Sequence, residues 1–115
     1  MAIEYPNTNL YIDGKWRPAV TGDTLDVINP ATEEVIGQVA RAQHADLDEA
    51  LEAADKAFAS WKKTTPLDRY RILRKAADLL RERASMIAEV MTTEQGKPLA
   101  EAKGETLMGA DSCLL

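Results

Sequence analysis

The 115-residue sequence holds one cysteine and one histidine, and no Gly-x-Gly-x-x-Gly stretch occurs anywhere in it. A lone thiol cannot form an internal disulfide, which fits a reducing compartment. A lone imidazole, His44, has no second ligand of its kind and makes no metal site. Without the glycine fingerprint, the residues by themselves carry no dinucleotide-binding signature. Aromatic residues are 5% of the chain with a single Phe, so the core must be built from Ala, Leu, Ile and Val. There is no basic excess: 14 Lys and Arg stand against 19 Asp and Glu, and the net charge of −5 repels phosphate backbones. No apolar run is long enough to span a bilayer, and the opening "MAIEYPNTNLYIDGKW" lacks the basic and apolar regions of a signal peptide. These absences predict a cytoplasmic protein that binds neither nucleic acid nor membrane.

What is present reads as strands, then helices. "LYIDGKWR" places two short runs around Asp13-Gly14, a pair suited to a two-residue hairpin turn. "TLDVIN" and "EVIGQVA" are rich in β-branched residues and flank "PATE", which predicts a second hairpin. The strands are expected over about 8–40.

From Asp46 the period changes. Asp46 with Glu49 three residues on suits a helix N-cap with a capping box. Leu47, Leu51, Ala54, Phe58 and Trp61 then share one face, predicting a helix over about 46–62. Thr65 suits the next N-cap, with Pro66 at the first helical position. Tyr70, Leu73, Ala77, Leu80, Ala84, Ile87 and Met91 alternate spacings of three and four. A second set, Ile72, Ala76, Leu79, Met86 and Val90, lies beside it and is interrupted only by Arg83. Together they cover an arc of about 160°, too wide for a coiled-coil seam, and predict one helix over about 66–95 packed on two sides. Gly96 suits a C-terminal stop and Pro98 a restart, giving a last helix over about 98–112. The length fits one domain, and the pattern an α+β arrangement.

The chemistry-bearing residues do not assemble into a catalytic set. Cys113, two residues from the end, has no base or oxyanion donors nearby and reads as incidental. The acids Glu33, Glu34, Asp46, Asp48 and Glu49 lie on a turn and a helix start, where the helix dipole accounts for the last three better than a catalytic carboxylate pair does. Arg69, Arg71, Arg74, Lys75, Arg81 and Arg83 are interspersed with acids, as on a solvated face. "GETLMG" lacks the Lys-Ser/Thr of a phosphate loop. No catalytic, cofactor-binding or metal residue is expected in this chain.

Several stretches in order, "YIDGKW", "VINPATEEVIGQVA", "DLDEALEAADKAFASWKKT" and "RYRILRKAADLLRERASMIAEVMTTEQGKPLAEAKGE", resemble the N-terminal segment of the NAD(P)-dependent aldehyde dehydrogenase superfamily. "TTEQGKPLAEAKGE" resembles the succinate-semialdehyde dehydrogenase branch. The resemblance spans about Leu10 to Asp111. It implies that 1–115 is an incomplete, N-terminal part of the cofactor-binding domain of an α/β fold, with the rest of the sheet supplied by later sequence. On this expectation Ser112-Cys113-Leu114-Leu115 departs from the family pattern and closes a truncated end. The implied chemistry is oxidation of a small-molecule aldehyde to a carboxylic acid. A cysteine thiolate attacks the aldehyde carbon, hydride passes to NAD or NADP, and a glutamate activates water. None of those residues maps onto this chain, so neither cofactor is expected to bind it alone, although family members are homo-oligomeric enzymes. The resemblance carries over one minor site, a monovalent cation held by the backbone of Val27 and Ile28 and by Glu94; a surface or capping role for Glu94 stands beside it. The reading from another class is a small interaction module that docks an exposed apolar helix face on a partner.

Overall fold

The computed structural model describes residues 5–113. They form β1 (Leu10–Ile12), β2 (Lys15–Arg17), β3 (Thr24–Ile28), β4 (Val35–Ala40), α1 (His44–Trp61), α2 (Pro66–Glu82), α3 (Ala84–Gln95) and α4 (Leu99–Ser112). Length predicts one domain, but the packing divides the chain into two compact units. The division follows the interactions: β2 and α1 share a polar cluster, whereas α2, α3 and α4 share a layer of small residues.

In the first unit, β1 and β2 pair antiparallel through Tyr11↔Trp16 and Ile12↔Lys15. Asp13 and Gly14 take positive φ of 49° and 75°. Positive φ at both turn positions matches the strand twist of a tight hairpin, as Asp-Gly predicts. The Tyr11 and Trp16 rings meet across the strands at 4.9 Å between centroids. Such a pair supplies local side-chain packing for a hairpin that has little core beneath it.

The second hairpin pairs β3 with β4, with a register shift between Val27 and Ile28. Thr8 adds a short parallel bridge to Val39, donating its amide to the Gln38 carbonyl and accepting from the Ala40 amide. The Tyr5 ring covers Gly37 so closely that a Cβ there would collide with it.

Helix α1 begins at His44, with Gln43 as its N-cap, so Asp46 is the third helical residue and not the cap that the sequence suggests. The Asp46 carboxylate reaches back to the Gln43 amide at 2.8 Å, the role of the acid in a capping box. Asp46 is the only buried residue of α1. The apolar stripe of Leu47, Leu51, Phe58 and Trp61 is exposed, and thus amphipathic without a facing layer.

In the second unit, the single helix expected over 66–95 is two helices. Arg83 takes φ −96° and ψ 4° between α2 and α3. No Pro or Gly stands there, so the local sequence carries no breaker and the apolar pattern continues through. The break falls at the one polar residue interrupting the second apolar set. The Arg83 amide still bonds the Leu79 carbonyl and the Ile87 amide the Arg83 carbonyl, which makes it a kink, not a loop.

Thr65 caps α2, accepting from the Asp68 amide at 3.2 Å, with Pro66 at the first helical position. Gly96 ends α3 at φ 74°, where its amide bonds the Thr92 carbonyl. Helix α4 packs on α2 and α3. The buried side chains of this layer are small: Ala77, Ala84, Ala88, Ala102, Thr106 and Ala110. Small residues let helix backbones approach closely, but each buries little apolar area. Thr106 satisfies its buried hydroxyl on the Ala102 carbonyl at 2.9 Å.

Candidate functional site

The most connected polar cluster joins β2 to α1. Arg17 donates through Nη1 to Asp46 Oδ1 at 2.8 Å and through Nη2 to Glu49 Oε2 at 2.5 Å. Val20 donates its amide to the same Asp46 oxygen at 3.0 Å. The Gln43 amide most strongly, then the Arg17 guanidinium and the Val20 amide, hold the Asp46 carboxyl below the ordinary carboxylate range against the opposing effect of burial. The Asp46 hydrogen bond likewise raises Arg17 above its usual value. An ion pair with every charge engaged in this way fixes a helix start against a hairpin. It leaves no carboxylate free for acid or base work.

Sequence reading placed Asp46 and Glu49 at a helix start and explained them by the dipole. It missed Arg17, 29 residues earlier than Asp46. No local pattern could have supplied that partner, since the pairing depends on where the hairpin lies.

The other candidates read from the sequence lie on separate elements. His44 opens α1, and Cys113 follows the last turn of α4. Leu114 and Leu115, the rest of the end that is expected from the sequence to depart from the family pattern, lie outside the described residues. Of the basic run, Arg71 pairs with Asp68, Arg74 with Asp78, and Arg81 with both Asp78 and Asp111. Among the described residues no three His, Cys, Asp or Glu side chains stand together as metal ligands. Val27 and Ile28 lie at the register shift of β3 and Glu94 in the last turn of α3.

A dinucleotide would need converging N–H donors or cations around its pyrophosphate. The described residues do not fit that group. The start of α1 already holds Asp46, that of α2 holds Asp68 against Thr65, and the first turn of α4 carries Glu101. The open depression beside β1 and α1 is lined by Asp13, Gly14 and helix alanines, with no cation among them. Among the described residues no helix is long and apolar enough to cross a membrane.

A second depression lies across the kink between α2 and α3. Ala76, Leu79, Leu80, Arg83 and Ile87 line it. It is apolar except for the one guanidinium.

The profile of the aldehyde dehydrogenase family matches residues 16–114. Glutarate-semialdehyde dehydrogenase of Pseudomonas putida is 49% identical over 100 residues, which are 87% of this chain and 21% of that enzyme. The crystal structure of an aldehyde dehydrogenase from Brucella melitensis biovar abortus matches with a TM-score of 0.91 at 42% identity, covering 94% of this chain and 22% of that one. An NADP-dependent enzyme of E. coli matches at 37% identity and a TM-score of 0.92, with the same two coverages. The hairpins and helices are thus a segment of a dehydrogenase fold. The chain belongs to the aldehyde dehydrogenase family, and it spans about a fifth of the length of the curated relatives it matches.

Proposed function

We propose that this chain is the opening, over 1–115, of the cofactor-binding domain of an NAD(P)-dependent aldehyde dehydrogenase. The reaction is oxidation of an aldehyde to the carboxylic acid, and the substrate class is an aldehyde bearing a distal carboxylate. The family match over residues 16–114 carries this reading. The name of the Pseudomonas relative supports the semialdehyde class, and that of the E. coli enzyme supports a nicotinamide cofactor. The succinate-semialdehyde branch suggested by "TTEQGKPLAEAKGE" belongs to the same chemical class, one methylene shorter than glutarate semialdehyde.

The part of that task given to this segment is structural. Arg17, Asp46 and Glu49 fix the first hairpin to α1, and the alanine layer sets the spacing of α2, α3 and α4. No residue of the segment receives a catalytic, cofactor-contacting or metal-ligating role. The 115-residue polypeptide alone is therefore expected to be inactive. Incubation with glutarate or succinate semialdehyde and either NAD or NADP, read by reduced-cofactor absorbance, tests this. Turnover above a protein-free control would show that residues within 1–115 suffice for the chemistry and would overturn the assignment.

A further inference from the structure

Asp13-Gly14 is the one place in the sequence where an aspartate or asparagine precedes a glycine. That pair carries chemistry of its own. The amide nitrogen of the second residue can attack the aspartate Cγ, and glycine has no side chain to obstruct the approach. The carboxyl gives up its hydroxyl and the amide its proton. These leave as water, and a succinimide ring closes. Water then adds to either ring carbonyl. One opening restores aspartate, and the other routes the main chain through the side-chain carbon as isoaspartate. No reagent other than water takes part.

Both groups are accessible. Asp13 and Gly14 are exposed, and a Cβ on Gly14 would meet nothing within 4 Å. The Asp13 carboxylate forms no hydrogen bond or ion pair with a described residue. The backbone, in contrast, opposes the reaction. The φ values of 49° at Asp13 and 75° at Gly14 fit a mirror-image type I turn, in which ψ of the first central residue is about 30°. Ring closure needs a strongly negative ψ there, which swings the Gly14 nitrogen over Cγ. The hairpin must therefore open before the bond forms. Next to the turn it is held by the Tyr11–Trp16 ring pair, with centroids 4.9 Å apart. Both rings are more than half exposed, so little beneath the hairpin supports them. Isoaspartate would lengthen the main chain of a turn whose flanking register, Ile12↔Lys15, accepts only two residues.

We propose that Asp13-Gly14 is a site of isoaspartate formation, gated by opening of the β1–β2 hairpin around the Tyr11–Trp16 ring pair. The proposal does not rest on the functional reading above. Hairpins form in about 1–10 μs, far faster than the covalent step, so the rate follows the fraction of open hairpin. Loss of the ring pair raises that fraction by about two- to tenfold.

The test ages the 115-residue chain at neutral pH, in buffer and in guanidinium chloride, and maps isoaspartate by methyltransferase labelling of peptides. Label is expected at Asp13 ahead of every other aspartate, and more slowly in buffer than in denaturant. Trp16→Ala is expected to speed labelling in buffer by about two- to tenfold and to leave the rate in denaturant unchanged. Trp16→Phe keeps a ring opposite Tyr11 and is expected to stay close to wild type. Absence of label at Asp13 overturns the proposal, as do equal wild-type rates in buffer and denaturant. Trp16→Ala ageing at the wild-type rate in buffer also overturns it. Should Trp16→Ala unfold and age at the denatured rate, the wild-type ratio and the Trp16→Phe rate still decide.

Discussion

Asp46 and Arg17 are 29 residues apart in sequence, and their side chains meet at 2.8 Å. The same carboxylate caps α1 through the Gln43 amide and holds the Val20 amide after β2. One side chain therefore starts a helix, anchors a hairpin and pairs with an arginine.

The pH dependence of this unit follows from that carboxylate. Asp46 is held below its ordinary range by the Gln43 amide, Arg17 and the Val20 amide, so the folded state favours its charged form. Its stabilising contribution is then complete above the unfolded aspartate value of about 3.9 and is lost as pH falls through the lower folded value. Asp46→Asn is expected to be less stable than wild type at pH 7, with the difference closing below about pH 4. Trp16 and Trp61 both belong to this unit, so urea unfolding followed by tryptophan fluorescence reads it directly. A wild-type advantage that stays constant from pH 7 to pH 3 would contradict the assignment.

Gly96 and Gly104 make a controlled pair in the other unit. Gly96 has φ 74°, and a Cβ there would stand 3.2 Å from Pro30 Cγ. Gly96→Ala is expected to cost about 1–2 kcal/mol through left-handed strain, with the Pro30 contact adding to it. Gly104 lies within α4, and a Cβ there meets nothing within 4 Å. Gly104→Ala is expected to gain about 0.5–1 kcal/mol. Opposite shifts in the helical unfolding midpoint are the expected result, and shifts of the same sign would sink the pair.

Thr65 is a test of the helix start read from sequence. Its hydroxyl accepts from the Asp68 amide and donates to the Asp68 carboxylate at 2.7 Å. Thr65→Ala is expected to cost about 1 kcal/mol, while Thr65→Ser retains most of it. Equal loss in both variants would mean that the methyl group, not the hydroxyl, matters.

Local chemistry accounts for what could be read in advance. Asp13-Gly14, Thr65-Pro66 and Gly96 each act within a few residues of themselves, and the structure puts each where its backbone preference requires. The start of α1 was misplaced because Gln43 is an unusual cap and Asp46, the stronger signal, acts from inside the helix. The kink at Arg83 was invisible because no breaker residue marks it. The apolar arc of α2 and α3 was legible, but its burial was not. Periodicity shows which face wants a partner, and only the packed chain shows that alanines met one while Ile72 and Met86 did not. The chemistry of the family stayed out of reach of residue patterns, since the sequence shows no reactive motif to read it from. The resemblance alone carried it.

The packing of α4 separates two ways of holding a helix. Arg81 donates to Asp111 at 2.6 Å, but the aspartate is 72% exposed and the arginine also faces Asp78. Water screens such a pair and both side chains lose freedom to form it, so Arg81→Ala is expected to change stability by less than about 1 kcal/mol. Ala110, one residue before Asp111, is fully buried. Ala110→Leu must push three extra carbons into a layer spaced by alanines, which costs about 1–3 kcal/mol. Thermal unfolding by circular dichroism at 0.1 M and 1 M salt resolves the two. Salt is expected to erase the Arg81 effect and leave that of Ala110 intact, because screening weakens charges and not steric overlap. If Arg81→Ala proved the costlier change, and remained so at high salt, the alanine layer would not be what sets the position of α4.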